Sequence, residues 1–179
     1  MTHSSIRGYL LILAMMASGG CGDGEGHMTL IPSNSIVAQS GPSAAKFYAV
    51  RLAPGADPRL ELQAYAKAQG IQAGAVVTAV GSLSRTVLRL ADQKETTVFD
   101  GKREIVSLVG TVGVNGCHLH LTVSDGQGIT FGGHLADGCV VNTTAEIVIA
   151  DLTDLRFDRA DDPRTGFREL IIQPRNSGD

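Results

Sequence analysis

Tryptophan is absent from this 179-residue chain, and aromatic residues make up only 4% of it. A core so poor in large rings must be assembled mainly from Val, Ile, Leu and Ala. The 43% hydrophobic content is enough to build one domain around such a core. Positive charge is not in excess either: 15 Lys and Arg face 18 Asp and Glu, giving a net charge of −3. The isoelectric point near 5.9 gives no support to a nucleic-acid reading, which calls for a basic face. Cysteine is scarce, with three residues and no C-x-x-C pair, which excludes the common zinc-finger and dithiol motifs. No glycine-rich phosphate loop leads into a helix. No Gly-x-Ser-x-Gly elbow occurs, so Ser82 and Ser84 beside Gly81 read as a bulge within a strand rather than as nucleophiles.

The one long apolar run, Tyr9 to Ala17, is too short to span a bilayer and suits the core of an export signal. It follows Arg7, the only basic residue ahead of it apart from His3, and leads to Ser18-Gly19-Gly20-Cys21. Small residues before a cysteine resemble a bacterial lipoprotein box, with Ser18 where such boxes usually carry Leu. Residues 1–21 are therefore expected to be a signal, with Cys21 as the lipidation site, and residues 22–45 a flexible linker rich in Gly, Ser and Pro. This predicts a periplasmic or membrane-anchored protein. Translation from Met28 would instead leave a cytoplasmic domain of about 150 residues.

Residues 46–175 are expected to form one α+β domain with a mostly antiparallel sheet and one main flanking helix. Residues 46–53 read as a first strand. Asp57 is placed to cap a helix with Pro58 in its first turn, Leu60, Leu62, Tyr65 and Ala66 along one side, and Gly70 as its stop. Strands are expected at 75–80, 86–90, 96–99, 104–111, 117–123, 129–135, 143–152 and 167–173, with breaks at Gly81-Ser82 and a charged loop over 158–166. Ser124-Asp125-Gly126-Gln127-Gly128 is a hairpin turn.

Three of the five histidines fall within seventeen residues, in Cys117-His118-Leu119-His120 and Gly132-Gly133-His134. His118 and His120 are two apart, so on a strand both rings leave the same face. The glycines before His134 allow the backbone to return towards that face. Three neutral imidazoles on one point make a transition-metal site with an open position, and Zn²⁺ is the expected ion among those that imidazole suits. Glu104, Glu146 and Asp125 are candidates to orient the ligands or act as a base. Arg51, Arg89 and Arg159 are candidates for an anionic ligand, against an ordinary role as surface or ion-pair residues. Cys117 and Cys139 read as small buried hydrophobes, with a disulfide as the alternative in an oxidising compartment. Cys117 should point away from the histidine face.

Spread over the domain are Tyr48-Ala49-Val50-Arg51-Leu52 with Pro54-Gly55, Val80-Gly81-Ser82-Leu83, and Glu104-Ile105-Val106-Ser107-Leu108-Val109-Gly110. After them come His118-Leu119-His120-Leu121, Gly132-Gly133-His134-Leu135, Thr144-Ala145-Glu146 and Gly166-Phe167-Arg168-Glu169-Leu170. In order and spacing this set resembles the plants and prokaryotes conserved (PPC) domain family, in its stand-alone prokaryotic type. The resemblance implies a compact antiparallel sheet with a flanking helix, assembled as a homotrimer. It also implies a metal at the positions matched by His118, His120 and His134. Plant members carry Arg-Gly-Arg-Pro hooks that touch DNA, and this chain has none. The plant partner-contact motif Gly-Arg-Phe-Glu-Ile-Leu is matched by Gly101-Lys102-Arg103-Glu104-Ile105-Val106, with Arg103 in place of the aromatic. The functional expectation is a trimeric metal-binding module for a small ligand or protein partner. A DNA-associated regulator is the alternative if translation starts at Met28. A metal-dependent hydrolase or cupin-like enzyme is a further one, the cupin pattern being weakened by Thr122-Val123-Ser124 where its Glu ligand would stand.

Overall fold

The computed structural model describes residue 38 and residues 40–175, so the expected signal, Cys21 and most of the linker lie outside the described residues. Eight strands and one helix follow in the order β1 (Ala45–Leu52), α1 (Pro58–Gln69), β2 (Gly74–Arg89), β3 (Thr96–Gly113), β4 (Gly116–Ser124), β5 (Thr130–Leu135), β6 (Val140–Leu152), β7 (Leu155–Asp162) and β8 (Phe167–Pro174). Six strands form one sheet in the order β1-β6-β2-β3-β4-β5, with antiparallel pairing throughout. β5 also pairs with the far end of β2, so β2, β3, β4 and β5 close on themselves. β7 and β8 make a separate two-stranded hairpin. The α+β architecture with one flanking helix is as expected.

The helix begins where the sequence places it. Asp57 accepts hydrogen bonds from the Arg59 and Leu60 amides, and Gly70 ends the helix in the left-handed region at φ 65°. Its buried face is narrower than expected: Pro58, Leu62 and Ala66 are buried, while Leu60 is 51% exposed. Leu62 and Ala66 are one turn apart, whereas Leu60 lies on the other side of the cylinder. The buried stripe packs against β3, β4 and β6.

Strands β2 and β3 run longer than their sequence signals. β2 continues through Gly81 and Ser82 by shifting register against β6 instead of stopping. Gly81 sits at φ 138°, and a Cβ there would lie 2.1 Å from the Thr144 carbonyl oxygen. The glycine therefore permits a bulge and a close strand approach, not a break. β3 likewise passes through Asp100 and Gly101 as far as Gly113.

The charged stretch 158–166 is not a loop. Most of it is β7, which pairs residue by residue with β8, from Leu155 opposite Pro174 to Asp162 opposite Phe167. Arg156 with Asp158 and Arg164 with Asp162 compensate its charge locally. The hairpin is tied to the main body through Phe157 N–H to Gln72 O at 3.1 Å. Asn115 Nδ2 to Asp158 Oδ1 at 2.6 Å and Arg159 Nη2 to Thr111 Oγ1 at 3.0 Å complete the attachment.

The core is aliphatic, built on Leu62, Ile71, Leu83, Leu88, Leu108, Leu119, Leu121, Val123, Leu135, Ile147 and Ile149, each at most 2% exposed. Cys139 joins it and Cys117 packs on its margin, both as free thiols. Burial pushes the Cys139 thiol up to about 11. Arg103, in the plant aromatic's place, is turned onto its own chain. Its guanidinium lies 5.9 and 5.4 Å from the Phe99 and Phe131 ring centres and donates to three carbonyls, those of Phe99, Asp100 and Gly101.

Candidate metal centre

Strand β4 alternates cleanly. Leu119, Leu121 and Val123 point into the core, and His118 and His120 leave the opposite face, where both are exposed. Cys117 lies on the core side, as the alternation requires. His134 comes from β5, directly opposite His120 in the ladder. Direct partners in an antiparallel pair share a face, so the turn at Ser124–Gly128 brings His134 beside the other two. Gly133 makes room for this. A Cβ on it would lie 2.9 Å from the Arg89 carbonyl oxygen, because β5 is held between β4 and β2.

The three rings form a triangle with centroid separations of 5.2, 5.0 and 5.7 Å. One ring nitrogen from each histidine lies within 4.8 Å of the others. His118 Nε2 and His120 Nε2 are 3.3 Å apart. Tetrahedral Zn–N bonds of about 2.0–2.1 Å place neighbouring ligand nitrogens roughly 3.3 Å apart, so this edge already has the separation an ion requires. His134 Nδ1 is buried and has no hydrogen-bond partner among the described residues. An orphaned buried nitrogen is costly, and bonding to a metal is one way to satisfy it. The donor set, three imidazole nitrogens, thus fits a transition metal.

Electrostatics favour the neutral form of His134 and His118. Burial, then Arg89, then the other two histidines hold His134 down to about 4 from the ordinary 6.5. His118 is also lowered, by burial first and then by the positive charge of Arg159. Neutral imidazole is the form that binds metal.

Of the residues proposed to assist, none stands beside the histidines within one chain. Asp125 is committed to its turn, accepting from the Gln127 and Ile129 amides at 2.9 and 3.0 Å. Glu104 is exposed on β3, opposite Ser82 and Ser124. Glu146 lines a groove with Ala49, Arg51, Thr78 and Val80. Arg51 goes to that groove as well, whereas Arg89 and Arg159 reach the histidines. The carboxylate that does reach them is Glu169 on β8. It lines two cavities of about 320 and 290 Å³ over the rings, together with Arg159. Arg168 lines the larger one. Glu169 and Arg168 stand in the family-like motif Gly166–Leu170, but nothing in their spacing to the histidines shows that the hairpin folds back over β4, so their place at the site is not legible in the sequence.

Known proteins place this architecture. The chain is 51% identical over 133 residues to the bifunctional protein GlmU of a Synechococcus strain, and spans about a fifth (21%) of that protein's length. It is 40% identical to a hypothetical protein from Salmonella, covering 77% of this chain and 100% of that one at a TM-score of 0.75. The metal-containing protein AF0104 from Archaeoglobus fulgidus is 25% identical, over 74% of this chain and 99% of its own, at a TM-score of 0.62. Residues 39–153 match the model of the Plants and Prokaryotes Conserved (PCC) domain, and the chain belongs to that family.

Proposed function

We propose that this protein is a PCC-domain module that holds one divalent transition metal, Zn²⁺ by preference, at His118, His120 and His134. It presents the open coordination position to a small ligand or a partner. The convergence of three ring nitrogens within 4.8 Å carries this reading. The metal-containing Archaeoglobus relative supports it. A bound ion would supply Lewis acidity and lower the pKa of a coordinated water. With no nucleophile–base pair beside the rings among the described residues, ligand binding is favoured over turnover.

The module is proposed to act as a homotrimer. Phe47 on β1, Val77 and Val80 on β2, and Val106 and Val109 on β3 are between 50 and 68% exposed, an apolar display that assembly would cover. Export and lipidation at Cys21 are proposed from the N-terminal sequence. Loss of membrane fractionation in Cys21→Ser would support them, and unchanged fractionation would remove them.

Elemental analysis of the purified full chain, beside His118→Ala and His134→Ala, tests the centre. About one metal per chain, lost in both variants at unchanged oligomer size, is expected. No metal in the correctly assembled wild type after incubation with Zn²⁺ would sink the reading. Salt-dependent DNA binding by that protein would move the function towards regulation.

A further inference from the structure

Beside the histidines lies a cluster of cations that the metal does not explain. Arg89 stands directly opposite His134 in the β2–β5 pairing, and His134 stands opposite His120, which stands opposite Val109. Arg89, His134 and His120 therefore form one row across three strands, on one face. Arg159 and Arg168 approach from the hairpin above. Arg159 is fixed by its bonds to Thr111 Oγ1 and to the Arg168 carbonyl, at 3.0 and 3.3 Å. Arg168 donates back to the Arg159 carbonyl at 2.8 Å and lies 4.0 Å from Asp161. Together they line the cavity of about 320 Å³ with His118 and His134, and Phe167 forms part of its wall.

Arg89 is half-buried, and its side chain makes no hydrogen bond or ion pair among the described residues. A partly desolvated guanidinium without a counter-charge is unfavourable. The cavity wall as a whole sets three guanidiniums against one carboxylate, Glu169. Three imidazoles add no negative charge, so a divalent ion would bring two further positive charges uncompensated. Such a site calls for an anion, and the planar guanidinium fork matches carboxylate and phosphate oxygens. The volume is at the small end of ligand pockets.

We infer that this cavity is a subsite for a small oxyanion, a carboxylate or phosphate group, gripped by Arg89 with Arg159 and Arg168 and directed at the open position of the metal. The inference rests on the three-histidine reading and names the ligand class that site would take. The hairpin arginines Arg159 and Arg168 lie beyond residue 153, where the family match ends, whereas Arg89 lies within it.

The test is calorimetric titration of the full chain, loaded with Zn²⁺ and checked for metal content, with inorganic phosphate and separately with malonate. Arg89→Ala is run in parallel. A Co²⁺-loaded sample reports through its visible absorption whether the anion reaches the metal. Expected is binding of at least one anion with a Kd of about a millimolar or tighter, weakened about tenfold or more in Arg89→Ala at unchanged metal content. Phosphate alone, malonate alone, or both would tell which oxyanion geometry the subsite prefers. No binding of either anion up to about 10 mM, or equal binding by Arg89→Ala, overturns the subsite and leaves the metal reading intact. If no metal loads, the metal reading fails by itself. The same anion titrations on the metal-free chain then decide the subsite, with loss in Arg89→Ala supporting it and absence of binding overturning it.

Discussion

His120 and His134 are direct partners across the β4–β5 ladder, although fourteen positions separate them in the chain. The ladder fixes their relative position, so the proposed metal centre would be held in register by backbone pairing. Truncating either ring should therefore remove metal without disturbing the sheet. His120→Ala is expected to lower Zn²⁺ affinity by more than about 100-fold, beyond the effect of losing an outer-sphere partner. Its far-ultraviolet circular dichroism should be unchanged. Competition with a chromophoric chelator measures the affinity, and retention of tight binding would mean that the ion uses other donors.

Metal should also stabilise the fold. Free Zn²⁺ at 100 to 1,000 times its Kd adds about 3–4 kcal/mol. A strong chelator should therefore lower the melting temperature of wild type and leave that of His118→Ala in place. Equal shifts in both would place the ion elsewhere.

In the metal-free protein, His134 should stay neutral down to about pH 4, against an ordinary 6.5. A histidine whose folded pKa is depressed takes up its proton more readily when unfolded. Its contribution to stability is thus fully present above about pH 6.5 and is lost as the pH falls towards about 4. Following the ring C–H resonances of His134 by NMR, alongside denaturant midpoints over the same range, checks both statements. A ring that titrates near its ordinary value would show the site to be wetter and less cationic than described.

Gly133→Ala should cost about 1–3 kcal/mol, since the new methyl would meet the Arg89 carbonyl oxygen at 2.9 Å. That carbonyl belongs to the neighbouring strand and cannot rotate away. Chemical denaturation gives the stability, and metal affinity should fall with it because His134 is the next residue. An unperturbed midpoint would mean that β5 is not held against β2.

Val80→Glu places a charge among the exposed apolar residues of β2 and should convert the proposed trimer to monomers. Analytical ultracentrifugation reads the mass directly. A trimer that survives the substitution would move the interface to another face.

Much of this was legible in the sequence, for a simple reason. The alternation His118-Leu119-His120-Leu121 has the strand period, so it states which side chains share a face, and the turn at Asp125 states which strand returns. The helix was legible through its ends, Asp57 and Gly70. What stayed hidden depended on contacts far along the chain. Leu60 looks like a core residue until the opposing sheet shows how narrow the buried stripe is. Gly81 looks like a stop because its left-handed backbone is indistinguishable, in sequence, from a turn. The stretch 158–166 looks like a loop because its charges suggest solvent, while the pairing that makes it a strand comes from Phe167 to Pro174. Arg168 and Glu169 were invisible as site residues for the same reason.

The hairpin hangs from the body by a few bonds at Gln72, Asn115 and Thr111, whereas the histidines sit in a ladder closed on all sides. Floor and roof are therefore separable parts. Changes in β7 and β8 would then alter the proposed anion site while leaving the three histidines in their ladder, much as a tool takes different jaws on one handle. Differences in ligand preference within such a scaffold would then be written in the last twenty or so described residues together with position 89, and exchanging the hairpin between relatives should change ligand preference while metal content stays constant.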